Sequence, residues 1–318
     1  MRNWRGFVVV GLLIVVFGVG VISVAAQADS GACVASAAFT VGASNQALEA
    51  QGRTRSYRLY VPESYDPTQP TPLVLSLHGF ASNPGQQEGF SNWDMIADSE
   101  NFVVVYPAGT GFPLRWNSGL FAQAEGAVND VQFLSDLIDQ VATDLCIDLS
   151  RVYINGLSNG GGMSYRFACE MADRVAAFGG VAGAYNDFGA CTPTQPVPVI
   201  LFHGTDDPIV PFAGGASGDP SASVFPAVPQ FAEDWAARNE CALTPETIAD
   251  LPEAVDGIRY TGCAAAVEVA FYTILGGGHT WPGTGETIPE FIAGVTNTDI
   301  EASAIMWDFF TQYSRPQD

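Results

Sequence analysis

Gly156-Leu157-Ser158-Asn159-Gly160 reads G-x-S-x-G between an apolar stretch, Val152 to Asn155, and a segment of helical spacing from about Gly160 to Met171. Glycines on both sides of a serine at a strand-to-helix turn permit a tight, strained corner that lifts the hydroxyl above a sheet at a helix N-terminus. A serine hydroxyl is a weak nucleophile until a base takes its proton, so a histidine must come near it.

The chain has three histidines. His78 closes the apolar run ending LSLHG, His203 closes the run ending ILFHG, and His279 follows Gly276-Gly277-Gly278. When the nucleophile sits in such a turn, the acid and then the base follow it in chain order. His279 alone lies after Ser158 with room for an acid before it. His203-Gly204-Thr205-Asp206-Asp207-Pro208 offers two carboxylates for that place, either of which could fix the tautomer of the base and stabilise its imidazolium. His78 and His203 are then expected to be structural, with rings hydrogen-bonded to loop backbone. Attack on an ester carbonyl builds negative charge on oxygen. The backbone N–H of Asn159, and that of Phe80 in His78-Gly79-Phe80, are placed to meet it.

The elements that must carry these groups alternate. Arg53 to Val61, Pro72 to Leu77, Phe102 to Tyr106, Val152 to Asn155, Ala176 to Ala182, Val197 to Phe202 and Val267 to Leu275 read as strands. Helical spacing covers about Phe90 to Ser99, Asp130 to Leu145 with Asp130 as N-cap, Gly160 to Met171, Ala227 to Asn239 and Asp299 to Tyr313. Short buried strands alternating with amphipathic helices predict an α/β fold with a mostly parallel sheet covered on both faces. In such sheets functional groups gather at the carboxyl ends of the strands, where each candidate residue falls.

The 318 residues include 12 Lys+Arg against 34 Asp+Glu, for a formal net charge of -22, and every one of the 12 cations is arginine. Lysine chemistry is therefore excluded, and a nucleic-acid backbone or an anionic membrane is not expected as a partner. Arg2 and Arg5 precede an apolar run from Gly6 to Ala26, and Ala26-Gln27-Ala28 has the small-x-small pattern of a cleavage site. Residues 1–28 are expected to be a signal peptide and 29–318 one catalytic domain; an uncleaved N-terminal membrane anchor is the alternative. The six cysteines suit an exported chain and have no C-x-x-C spacing. The expected pairs are Cys241-Cys263, which would close an excursion between a helix and the next strand, Cys169-Cys191 and, as the remainder, Cys33-Cys146.

At these residues the chain resembles the secreted feruloyl esterase and polyhydroxybutyrate depolymerase-like family of α/β-hydrolases. The resemblance runs from about Ala47 to Tyr313. It rests on Arg55 to Pro62, Leu77-His78-Gly79, Arg151-Val152-Tyr153 leading into Gly156-Leu157-Ser158-Asn159-Gly160-Gly161, His203-Gly204-Thr205-x-Asp207-x-x-Val210-Pro211, and above all Gly278-His279-Thr280-Trp281-Pro282-Gly283. It implies the α/β-hydrolase fold, with Ser158 as nucleophile, Asp207 rather than Asp206 as acid, and His279 as base. The family's usual cysteine after His-Gly is replaced by Phe80, which removes a covalent contact but leaves the backbone donor.

The expected activity is a serine ester hydrolase without metal or organic cofactor, acting as a secreted monomer. Hydroxycinnamoyl or acetyl esters on plant polysaccharide are the expected substrates. Polyhydroxybutyrate is the runner-up, and a non-catalytic envelope binding module is the reading of another class. Trp281, two residues beyond the base, could stack on an acyl or sugar ring or anchor the loop that packs the histidine in place, and Trp116, in a glycine-rich loop, is a candidate for the same stacking.

Overall fold

The computed structural model describes residues 1–2, 39–119, 127–217, 224–283 and 285–316. Beyond its first two residues the expected leader lies outside them, as does Cys33 of the third expected disulfide. Among the described residues no helix is long and apolar enough to cross a membrane.

Five fully or largely buried runs form the centre of the sheet: β3 (Thr71–Leu77), β4 (Val103–Pro107), β5 (Ile147–Leu157), β6 (Ala177–Val181) and β7 (Val199–Gly204). They pair in parallel in the order β4-β3-β5-β6-β7, and β12 (Val269–Ile274) adds in parallel beside β7. Because side chains alternate across a strand, Leu73, Leu75 and Leu77 face one core while Val74 faces the other. On the first side pack α3 (Asp130–Asp144), α4 (Asn159–Glu170) and α5 (Val228–Arg238). On the second lie α1 (Pro84–Ser91), α2 (Trp93–Glu100) and α7 (Ala302–Phe310). Apolar burial on both faces explains why these strands read as continuous hydrophobic runs.

Antiparallel strands extend the sheet at both ends. β1 (Gly42–Ala50) and β2 (Arg53–Val61) join beyond β4, and β11 (Val255–Tyr260) and β10 (Glu246–Thr247) join beyond β12. A two-residue ribbon, β8 (Gly215–Ala216) with β9 (Val224–Phe225), stands apart from the sheet. The chain steps outward from β3 to β4, then returns across β3 to β5. This reversal opens a crevice at the carboxyl ends of β3 and β5, where ligands bind in open α/β sheets.

Several boundaries differ from expectation for local reasons. The single helix expected over Phe90 to Ser99 is two helices, split at Asn92, whose left-handed backbone (φ 56°, ψ 24°) ends α1 and begins α2. Asparagine tolerates that conformation better than most residues. The N-cap of α3 is Asn129, whose side chain accepts the Gln132 N–H at 3.1 Å, and not Asp130. Asp130 is fully buried, and its two oxygens take Arg55 Nη2 at 2.8 Å and the Asn117 N–H at 2.8 Å. The Arg55 guanidinium also donates to Ala108 O and sits 3.8 Å from the Phe133 ring centroid. This buried pair fastens β2, α3 and the loop after β4, so losing either partner strands a charge in the interior.

Cys169 and Cys191 form a disulfide between the end of α4 and the segment before β7, and Cys241 and Cys263 close the excursion carrying β10 and β11. Both are pairings expected from the sequence.

Candidate active site

Ser158 follows β5 directly and is the first turn's cap for α4, with φ 56° and ψ -118°. A serine at positive φ is strained, by roughly 1–3 kcal/mol, and persists only where neighbours fix it. Here the Ser158 N–H donates to Val181 O at 2.9 Å, while its carbonyl accepts from Gly162 N and Ala184 N. Glycines make the corner possible. A Cβ on Gly160 would lie 2.1 Å from Leu77 O and one on Gly156 2.4 Å from Gly160 C, so α4 can start against β3 only without side chains at these positions.

Asp207 follows β7 and His279 follows β12, the adjacent strand. Their side chains meet, with His279 Nδ1 2.7 Å from Asp207 Oδ2. The His279 backbone is fixed in turn, its N–H donating to Ala293 O and that of Gly278 to Val295 O, in and just after the short helix α6 (Glu290–Ala293). Asp207 Oδ1 accepts the N–H groups of Ile209 and Val210, both at 2.8 Å. Burial by itself would raise the Asp207 pKa. The hydrogen bonds and charges of His203 and His279 outweigh it and hold the carboxyl well below the usual range. Asp206 is exposed and bonds to Thr205 instead, so geometry separates the two carboxylates that residue types alone left open.

His78 and Trp116 organise the loop facing the serine. The buried His78 ring accepts the Gly109 N–H at Nε2 (2.9 Å) and, from Nδ1, donates to Gly79 O (2.7 Å). The Gly79–Phe80 peptide is trans, so fixing the Gly79 carbonyl on the histidine side turns the Phe80 N–H the opposite way. Gly79 lies against the nucleophile: a Cβ there would be 3.4 Å from Ser158 Cβ. The N–H of Asn159 opens α4 and has no intrahelical partner. The N–H groups of Phe80 and Asn159 thus lie on the two segments that adjoin Ser158.

Burial lowers the His78 pKa to about 4, with Arg55 adding to the effect. An unfolded chain takes up that proton near the ordinary 6.5. The stability tied to neutral His78 is therefore complete above about 6.5 and is lost as pH falls toward 4. Denaturant titrations at pH 7 and pH 4.5 should show a smaller loss for His78→Gln than for the unsubstituted protein.

Burial decides between the readings of the two tryptophans, against the stacking role expected of Trp116 and for the anchor reading of Trp281. Trp116 is 2% exposed, and its indole N–H donates to His78 O at 2.9 Å. Its backbone N–H donates to Asn159 Oδ1, while Asn159 Nδ2 donates to Trp116 O and Ser118 Oγ. Trp281 is 5% exposed and donates to Ser303 Oγ at 3.0 Å. Neither offers a free face for stacking, so both are anchors, Trp116 for the loop that begins at His78 and Trp281 for the loop that carries His279. Among the described residues the large apolar aromatics most open to solvent are Phe80 (56% exposed), Phe112 (99%) in the hairpin that bonds Ala81 through Leu114 O, and Phe291 (89%) on α6. Sequence reasoning missed Phe112 and Phe291, since an exposed phenylalanine has no local signature.

Residues 55–210 match the family described as Esterase PHB depolymerase. Over that stretch the chain is similar to the feruloyl esterase and polyhydroxybutyrate depolymerase-like esterases. Similar proteins include a bifunctional acetylxylan esterase/xylanase of Neocallimastix patriciarum, 30% identical over 83% of this chain and 34% of that protein. Feruloyl esterase B of Piromyces equi is 29% identical over 80% of this chain and 44% of its own length. The chain thus spans less than half the length of either relative. The solved acetyl xylan esterase from Aspergillus awamori, at 16% identity, shares the family's fold with a TM-score of 0.56 over 84% of this chain and 99% of that one.

Proposed function

We propose that the chain is an exported serine ester hydrolase that forms an acyl-enzyme on Ser158. The carrying observation is the His279 Nδ1 to Asp207 Oδ2 bond of 2.7 Å at the same sheet edge as the strained Ser158. With Nδ1 committed to Asp207, Nε2 is left free to accept the serine proton. Oγ then attacks the ester carbonyl, and the tetrahedral oxyanion is received by the Phe80 and Asn159 N–H groups, each worth about 10²–10³ in rate. Collapse expels the alcohol, which takes the proton from His279. Water activated by the same nitrogen then releases the acid.

The substrate reading is a hydroxycinnamoyl or acetyl ester on plant polysaccharide, supported by the feruloyl and acetylxylan esterases among the relatives. The exposed Phe80, Phe112 and Phe291, on segments bonded to the site's loops, favour a polyester as second reading. Export rests on the N-terminal apolar run and on the two disulfides. The test is a panel of methyl ferulate, acetylated xylan, hydroxybutyrate oligomers and short nitrophenyl esters. Release of ferulate or acetate is expected to dominate; turnover of hydroxybutyrate oligomers alone would overturn the preferred substrate class.

A further inference from the structure

His203 does more than bond to its own loop. It is the penultimate residue of β7, held between β6 and β12, and its ring is almost fully buried. Nε2 stands 2.9 Å from Val210 O and 3.2 Å from Asp207 Oδ2. Both neighbours are acceptors, so the ring proton belongs on Nε2. Nδ1 faces no hydrogen-bond partner among the described residues.

We propose that His203 is a positioning residue for the esterase reaction, holding Oδ2 of Asp207 in place for His279 by sharing that oxygen with it. The inference rests on the proposed roles of Ser158, Asp207 and His279.

The backbone donors Ile209 and Val210 hold only Oδ1. One gripped oxygen leaves the carboxylate free to rock, and Oδ2 is the atom that carries the base. His203 grips Oδ2 directly and, through Val210 O, closes the turn that supplies the two backbone donors. All four N–H groups around Asp207 are thereby tied to one another. The second consequence is electrostatic. A carboxylate oxygen that also accepts from His203 has less charge to offer the His279 imidazolium. The side-chain hydrogen bonds and charges acting on the Asp207 carboxyl come from His203 and His279, and the neighbouring Asp206 is exposed.

The experiment compares the unsubstituted protein, His203→Phe and His203→Gln on nitrophenyl acetate across pH. It is joined to ¹⁵N-histidine NMR, which in a chain with three histidines gives three imidazole signals to assign. Phenylalanine keeps the ring volume without the donor, whereas glutamine returns an N–H near the position of Nε2. For His203→Phe, kcat should fall roughly 10- to 30-fold with KM nearly constant, and the acidic limb of kcat/KM should move up by about half to one pH unit. His203→Gln should recover most of kcat and return the limb, and NMR of the unsubstituted protein should place the His203 proton on Nε2. A folded His203→Phe with an unchanged limb and kcat overturns the proposal. So does a His203 proton on Nδ1, or a glutamine variant as impaired as any donor-free one, and these two readings stand even if His203→Phe fails to fold. Ser158→Ala assayed in parallel keeps the two claims apart: if it stays active, the acyl-enzyme reading on Ser158 itself fails, whatever the His203 variants do.

Discussion

Ser158→Ala should lose ester turnover by about 10⁵-fold while keeping its fold, because the proposed nucleophile is removed. The residual rate would come from the oxyanion donors, which act on any bound ester that water attacks. Folding should be little affected, since the contacts that fix residue 158 are backbone bonds to Val181, Gly162 and Ala184. The strain at φ 56° remains with alanine. Glycine relieves it, so Ser158→Gly should be as inactive as Ser158→Ala yet more stable by about 1 kcal/mol. Paired turnover assays and denaturant titrations read both effects. Equal turnover in Ser158→Ala and the unsubstituted protein would contradict Ser158 as nucleophile, and hydrolysis by neither above the buffer rate would return the non-catalytic binding reading.

Asp207→Asn should reduce kcat by about 10³–10⁴-fold with the chain still folded. The cause lies in which oxygen the backbone controls. The N–H groups of Ile209 and Val210 demand an acceptor at the Oδ1 position, so the asparagine oxygen settles there and its NH₂ turns toward the imidazoles. Facing a donor, His279 must present Nδ1 as an acceptor. Its proton then sits on Nε2, where the serine proton was to go, and the ring cannot act as base. The His203 N–H also meets a donor in place of an acceptor. A modest loss of stability should therefore accompany the kinetic defect. KM should change little, because Asp207 is buried behind His279 and is placed to act through it. A variant with kcat within threefold of the unsubstituted protein would show that the carboxylate is not setting the tautomer.

The central strands were legible because they are apolar on both faces, and the helices between them because one face is apolar and one polar. β1 was not. Its sequence GASNQALEA is polar and small, only Ala50 is buried, and it is held by hydrogen bonds to β2 rather than by hydropathy. β11 was missed similarly, since VDGIRY places exposed charges on an outer strand. Asn129 and Asp130 are equally good caps by type. What distinguishes them is Arg55, 75 residues earlier, whose buried charge claims Asp130.

Within the site, order along the chain was enough to put serine, acid and base at strand ends, but not to show how they are held. Proximity to His279 made Trp281 look like a substrate platform. Its N–H is instead committed to Ser303, 22 residues further on, a contact set by how α7 docks. Trp116 is fixed in the same way by the His78 carbonyl. His203 was read as bonded to loop backbone, which holds for Val210 O. Its approach to Asp207 depends on the turn from residue 207 to 210 folding back over the strand end, a path that spacing does not dictate.

The claim of an acyl-enzyme on Ser158 is tested most directly by reacting the protein with a nitrophenyl phosphonate ester and locating the adduct by peptide mass spectrometry. One adduct per chain on the peptide containing Ser158, formed in step with loss of ester turnover and absent in Ser158→Ala, is the result expected. Full turnover with Ser158 modified, or inactivation with the adduct on another residue, would contradict it.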